Sequence, residues 1–193
     1  MRTISIAATA ALMFVGQAQA AWTLDGEAST VSFVSTKAIN VAEVHRFGEL
    51  SGSVDADGQV MVSIGLASVG TAIELRDQRM REMLFQTDQF TLATVSAKVD
   101  AAALEGMQPG ESARMMLEGI VSLHGESRPI PMSVVVARTG DNSLLVTSEK
   151  PVVVNAPEFK LAEGVEALRD VAGLPNISLA VPVSFVLSFS KDQ

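Results

Sequence analysis

Ile177-Ser178-Leu179-Ala180-Val181-Pro182-Val183-Ser184-Phe185-Val186-Leu187-Ser188-Phe189-Ser190 reads as one long β-strand. Large apolar residues stand at every odd position, while Ser, Ala, Pro and Val fill the even ones, so one face is fully apolar. Pro182 has no backbone N–H to donate to a ladder, which predicts an edge, a bulge or a bend at that point. The same period of two recurs upstream. It runs through Val60, Val62, Ile64 and Leu66, and through Ala113, Met115, Leu117, Gly119, Val121 and Leu123. Met132, Val134 and Val136 repeat it, and Val31 with Phe33 and Leu144 with Val146 are shorter cases. Turn signals separate these runs: Asp25-Gly26, Asp55-Ala56-Asp57-Gly58, Gln108-Pro109-Gly110 and Gly140-Asp141-Asn142. Many short strands at close spacing imply an antiparallel sandwich or barrel.

Two interruptions have helical spacing. Thr71 with Glu74 suggests a capping box, after which Ile73, Met80, Met83 and Leu84 share a face and Asp77, Gln78, Arg81 and Glu82 share the other. This helix is expected to lie across an opening. A second, from about Ala162 to Ala172, aligns Leu161, Val165 and Leu168 and stops at Gly173 with Pro175 beyond.

Composition limits function. The 193 residues are 48% apolar but only 5% aromatic, and the formal charge is -8, a sign that as a whole repels nucleic-acid backbones and anionic membrane surfaces. No Cys is present, which excludes disulfides and thiolate chemistry. Residues 1–20 read as a secretory signal peptide: Arg2, the apolar run Ile4 to Gly16, and Ala18-Gln19-Ala20 before the cleavage point. Residues 21–193 then form one domain, and a periplasmic or secreted location follows. Neither a nucleophile elbow nor a phosphate loop appears, and the chain holds only His45 and His124. A metal site from Glu43, His45 and His124 lacks the paired spacing such sites use, so no metal and no catalytic residue is expected. Arg76, Arg79 and Arg81 form a basic cluster that reads first as a solvated helix face, with Asp77 and Arg81 spaced for pairing.

Several stretches together resemble the YceI-like family. These are Trp22-Thr23-Leu24-Asp25 with Ser29, Val31 and Phe33; Phe47, Gly48, Leu50 and Gly52; Arg76 to Phe85; and Gly119 to Gly125 followed by Arg128-Pro129-Ile130. The sequence departs from the family pattern at Gln86 to Thr91 and at Ala156 to Leu161. The resemblance implies a mainly β protein, a single antiparallel lipocalin-like β-barrel covered by one or two short helices, that binds a polyisoprenoid lipid in an apolar tunnel. An isoprenoid quinone or its precursor is the expected ligand, for transport or storage, and no other cofactor is implied. Expected wall residues are Val31, Phe33, Phe47, Leu66 and Met83, together with Phe85, Met115, Leu117, Val134 and Phe185. Arg79 and His45 are the candidates for the polar head. Two other readings are an exported lipid hydrolase or isomerase using His124 or His45 as base, and a fully packed barrel with no ligand. Transient membrane contact fits the carrier reading, and the oligomeric state, a dimer included, is left open.

Overall fold

The computed structural model describes residues 20–191. Of the expected leader only Ala20 falls within them, its backbone opening the first strand; the rest lies outside the described residues.

Eleven strands form one antiparallel sheet: β1 (Ala20–Lys37), β2 (Val41–Phe47), β3 (Leu50–Asp55), β4 (Gln59–Gly65), β5 (Val69–Gly70), β6 (Leu92–Lys98), β7 (Ser112–Leu123), β8 (Glu126–Gly140), β9 (Ser143–Ser148), β10 (Val152–Asn155) and β11 (Ala180–Ser190). β2 and β3 lie end to end along β1, and β9 and β10 lie end to end along β11. The ring β1-β3-β4-β6-β7-β8-β9-β11 closes when β11 pairs back onto β1. Closure leaves the ring without an edge and gives each strand one face toward a shared interior, which is why period-two patterning dominates the sequence.

The quoted C-terminal stretch supplies the closing strand. It begins at Ala180, not at Ile177: Ile177 makes only an isolated bridge to Lys37, and Leu179 is 36% exposed. Pro182 lies opposite Val153, one residue beyond the last β1–β11 pair, Phe33 with Val183. Its missing N–H therefore falls where β1 has already parted from β11. β1 bends over Asp25–Thr30, where the register with β11 shifts. Asp25 Oδ1 accepts from the Glu27 and Ala28 N–H groups at 3.0 and 3.1 Å, which satisfies backbone that the bulge takes out of the ladder. The β7–β8 hairpin turns on His124 and Gly125, with φ of 51° and 78°, the left-handed pair that a two-residue turn demands.

Helices sit at both ends. Asp100 caps α2 (Ala101–Gly106) by accepting from the Ala102 and Ala103 N–H groups, and this helix puts Leu104 into one end of the barrel. Trp22, 1% exposed, plugs the same end, with the Arg138 guanidinium 4.9 Å from its ring centroid. Arg138 is itself buried and donates to the carbonyls of Gly140, Leu104 and Asp141. At the other end α1 (Glu74–Arg79) runs into a π-helical turn over Met80–Phe85, and α3 (Ala162–Val171) packs on it. Gly164 sits so close that a Cβ there would lie 2.8 Å from Leu84 Cα and from the Met83 carbonyl oxygen.

The first helix departs from its sequence pattern in three ways. No capping box forms, because Ala72 is left-handed (φ 62°) and the Thr71 hydroxyl donates to Asp77 instead. Asp77, expected in solvent, is therefore buried, whereas Ile73 is 52% exposed. Arg81 pairs with Glu74 and not with Asp77. The i, i+3 and i, i+4 spacings gave way to partners six and seven residues away.

Candidate functional site

The barrel encloses a cavity of about 250 Å³ lined only by Val, Leu, Ile, Phe, Ala and Met side chains. It extends from Leu104 of α2 at the plugged end to Leu84, Phe85 and Val165 under the helices of the other end, the mouth. The interior stays hollow because β6 contributes Ala93, Val95 and Ala97, small side chains where other strands place Phe and Leu. By comparison a dry cavity of roughly 150 Å³ admits benzene. About ten carbons, or two isoprene units, thus fit at rest on that scale, and a longer tail requires lining side chains to turn aside.

Eight of the ten expected wall residues line this cavity: Val31, Phe33, Phe47, Leu66, Phe85, Leu117, Val134 and Phe185. Met83 and Met115 do not; both are half-buried, Met83 beside α3 and Met115 packed against the core. The structure adds residues at the plugged end, among them Leu144, Leu187 and Phe189. These belonged to strands already legible, but nothing in the sequence showed which buried side chains would face empty space.

At the mouth a row of rings leads inward. Phe33 meets His45 edge-on at 5.2 Å and Phe47 at 5.4 Å, and Phe47 meets Phe85 at 5.7 Å. His45 is 4% exposed and its Nε2 lies 2.9 Å from Ser35 Oγ, while Nδ1 has no partner. Without an acceptor on Nδ1 nothing orients the ring as a catalytic triad requires. Burial pushes the imidazole pKa down, and the nearby Arg76 charge adds to this, against the opposing pull of Glu43. Arg76 donates to Glu43 Oε2 and to the Thr71 carbonyl, each at 2.6 Å, and its Nε is buried without a partner. Lys37 also reaches Glu43 at 2.8 Å, and this hydrogen bond is the main reason the Glu43 carboxyl stays below its ordinary range. A polar ring made of Lys37, Glu43, His45, Arg76 and Asp77 therefore borders the apolar lumen. Of the two head-group candidates, His45 sits in it; Arg79 is half-buried with no hydrogen bond or ion pair among the described residues. Arg76, three residues earlier on the helix, is the arginine that bonds to Glu43 of β2.

His124 is buried against Phe90 at 4.3 Å between ring centroids, with neither ring nitrogen hydrogen-bonded. Among the described residues no group of three His, Cys, Asp or Glu side chains could hold a metal ion.

The YceI-like domain pattern matches residues 22–189, the span that forms the barrel. This chain belongs to the YceI-like family. Among solved structures, a polyisoprenoid-binding domain from Saccharophagus degradans, implicated in plant cell wall breakdown, is 37% identical with a TM-score of 0.89; the match covers 90% of this chain and 100% of that one. BcnA of Burkholderia cenocepacia is similar in fold at 19% identity and a TM-score of 0.65, covering 86% of this chain and 98% of that one. The YCEI protein of Campylobacter jejuni shares the fold at 17% identity and a TM-score of 0.54, over 77% and 85% of the two chains. No curated protein matches the sequence.

Proposed function

We propose that this YceI-like protein binds an isoprenoid lipid, with the tail in the barrel and the polar head at the ring of Lys37, Glu43, His45 and Arg76. The observation that carries this reading is a cavity without a single polar lining side chain, running inward to Leu104. Such a space rejects water and any hydrated substrate, and it rewards apolar carbon at about 0.8 kcal/mol per CH₂ group. The polyisoprenoid-binding domain of Saccharophagus degradans, similar over its whole length, supports the same ligand class. An isoprenoid quinone or its precursor suits the site, since a ring bearing oxygens can accept from Arg76 Nε and His45 at the mouth. Binding for transport or storage, rather than turnover, fits a site whose one hydroxyl–imidazole contact has no orienting third group. The leader-like residues ending in Ala18-Gln19-Ala20 support a periplasmic or secreted location for this work.

Native mass spectrometry of protein purified from its own host tests the reading. Co-purified lipid of isoprenoid mass is expected. A bare polypeptide mass, with no uptake of added polyprenol, would refute it.

A further inference from the structure

β1 and β2 continue past the barrel. β11 leaves β1 at Phe33, yet β1–β2 pairing runs on through four more rungs to Lys37 with Val41. The hairpin that results turns at Ala38 and Ile39, whose φ values of 47° and 71° are left-handed. A β-branched residue is a rare choice there, where Asn or Gly is ordinarily found. Ile39 is also 72% exposed, so it is both strained and unburied. Val44 (72%) and Val41 (46%) are exposed on the same hairpin. Ile73 and Leu75, 52% and 56% exposed, flank the start of α1, which Arg76 ties to Glu43 of β2. Five of the thirteen exposed large apolar residues among the described residues thus fall on two linked segments at the mouth.

Charge distinguishes this end as well. Residues 37–46 and 71–82 carry five basic side chains and four acidic ones, whereas the remaining described residues carry eight and seventeen. Arg46 and Arg79 have no ion-pair partner among the described residues. An acidic molecule with a net-positive region around an aliphatic tip orients that tip toward an anionic surface. The exposed side chains are aliphatic and lack the Trp and Tyr that anchor protein interfaces.

We propose that the β1–β2 tip inserts Ile39 and its neighbours into the interface of an anionic phospholipid bilayer, with Arg46 and Arg79 at headgroup level, holding the mouth against the membrane. The lipid-carrier reading gives this docking its purpose, but the docking itself is measured independently of what fills the lumen.

Flotation of the full chain without its leader, with phosphatidylcholine vesicles and with vesicles that also contain phosphatidylglycerol, tests it. Binding is expected to the anionic vesicles and to weaken with added salt. Ile39→Asn, which suits a left-handed backbone, is expected to raise the melting temperature while lowering vesicle affinity about tenfold or more. Arg46→Glu is expected to remove the preference for anionic vesicles. Absence of flotation, unchanged flotation of Ile39→Asn, or a dimer in sedimentation that Ile39→Asn splits into monomers without any vesicle binding would each overturn the proposal. Lipid uptake without flotation overturns docking alone, and flotation without lipid uptake overturns the carrier alone.

Discussion

Ala93→Phe puts a phenyl group into the lumen from β6 of the barrel wall. Ala93 lines the cavity, is buried, and pairs with Ile64 on β4, so its side chain has no route outward. A benzene-sized group takes roughly 150 Å³ of cavity. Of the 250 Å³ available, about 100 Å³ would remain. The carbons accommodated at rest then fall from about ten to about four, fewer than one isoprene unit. At ~0.8 kcal/mol per CH₂ the gross transfer gain drops from about 8 to about 3 kcal/mol, below the ~4 kcal/mol minimum that association itself costs. The lost 5 kcal/mol or so corresponds to more than three powers of ten in affinity. Folding survives, because burying the new ring contributes about 1.5–3 kcal/mol against roughly 1–3 kcal/mol of overpacking strain. Calorimetric titration with a two-unit isoprenoid alcohol, alongside circular dichroism for the fold, measures both quantities. Ala97→Phe repeats the test from four residues further along β6. Undiminished binding by either folded variant would refute the lumen as the binding place.

The depressed His45 pKa makes stability pH-dependent in a defined direction. The unfolded chain takes up a proton near the ordinary histidine value of about 6.5, before the folded one does, so His45-linked stability is complete above that pH and lost as the pH falls toward the lower folded value. Chemical denaturation between neutral and mildly acidic pH should show this loss, and His45→Gln should flatten it; the Glu43 contribution appears separately, at pH values below the ordinary carboxylate range. Trp22→Ala should cost about 3–5 kcal/mol of unfolding free energy, read from denaturant midpoints, because it opens a void beneath Arg138 at the plugged end. Gly164→Ala should push α3 from the Leu84 backbone, costing about 1–3 kcal/mol and quickening amide exchange in the π-helical turn while the strands keep their protection.

The β pattern was legible where inward side chains are large. The β11, β7 and β4 alternations announce themselves because a residue facing the lumen must be apolar and its neighbour facing water need not be. β6 escaped notice because its inward residues are Ala93, Val95 and Ala97, too small to stand out from Thr94 and Ser96. β10 was missed because Val152, Val153 and Val154 do not alternate, and α2 because six residues give too few turns for a helical period. Period two assigns a side of the sheet and so pointed to Val31, Phe33, Leu66, Leu117, Val134 and Phe185, whereas Phe47 stood in a stretch of the family resemblance and Phe85 on the covering helix. Met83, read from the helix face, and Met115, read from the β7 alternation, do not line the cavity, because neither period says whether a buried side chain meets void or neighbour.

Local chemistry in the chain decided the aliphatic strands, the turns between them, the acidic charge and the absence of thiol chemistry, since each depends on residue type and spacing within a few positions. Tertiary structure alone decided that the ribbon closes into a ring, that its interior keeps a dry cavity, and that Arg76 rather than Arg79 reaches the mouth. Those outcomes depend on contacts such as Phe33 with Val183 and Arg76 with Glu43, between residues 150 and 33 positions apart in sequence. No local pattern encodes such distances; they arise from the summed twist and register of eight strands.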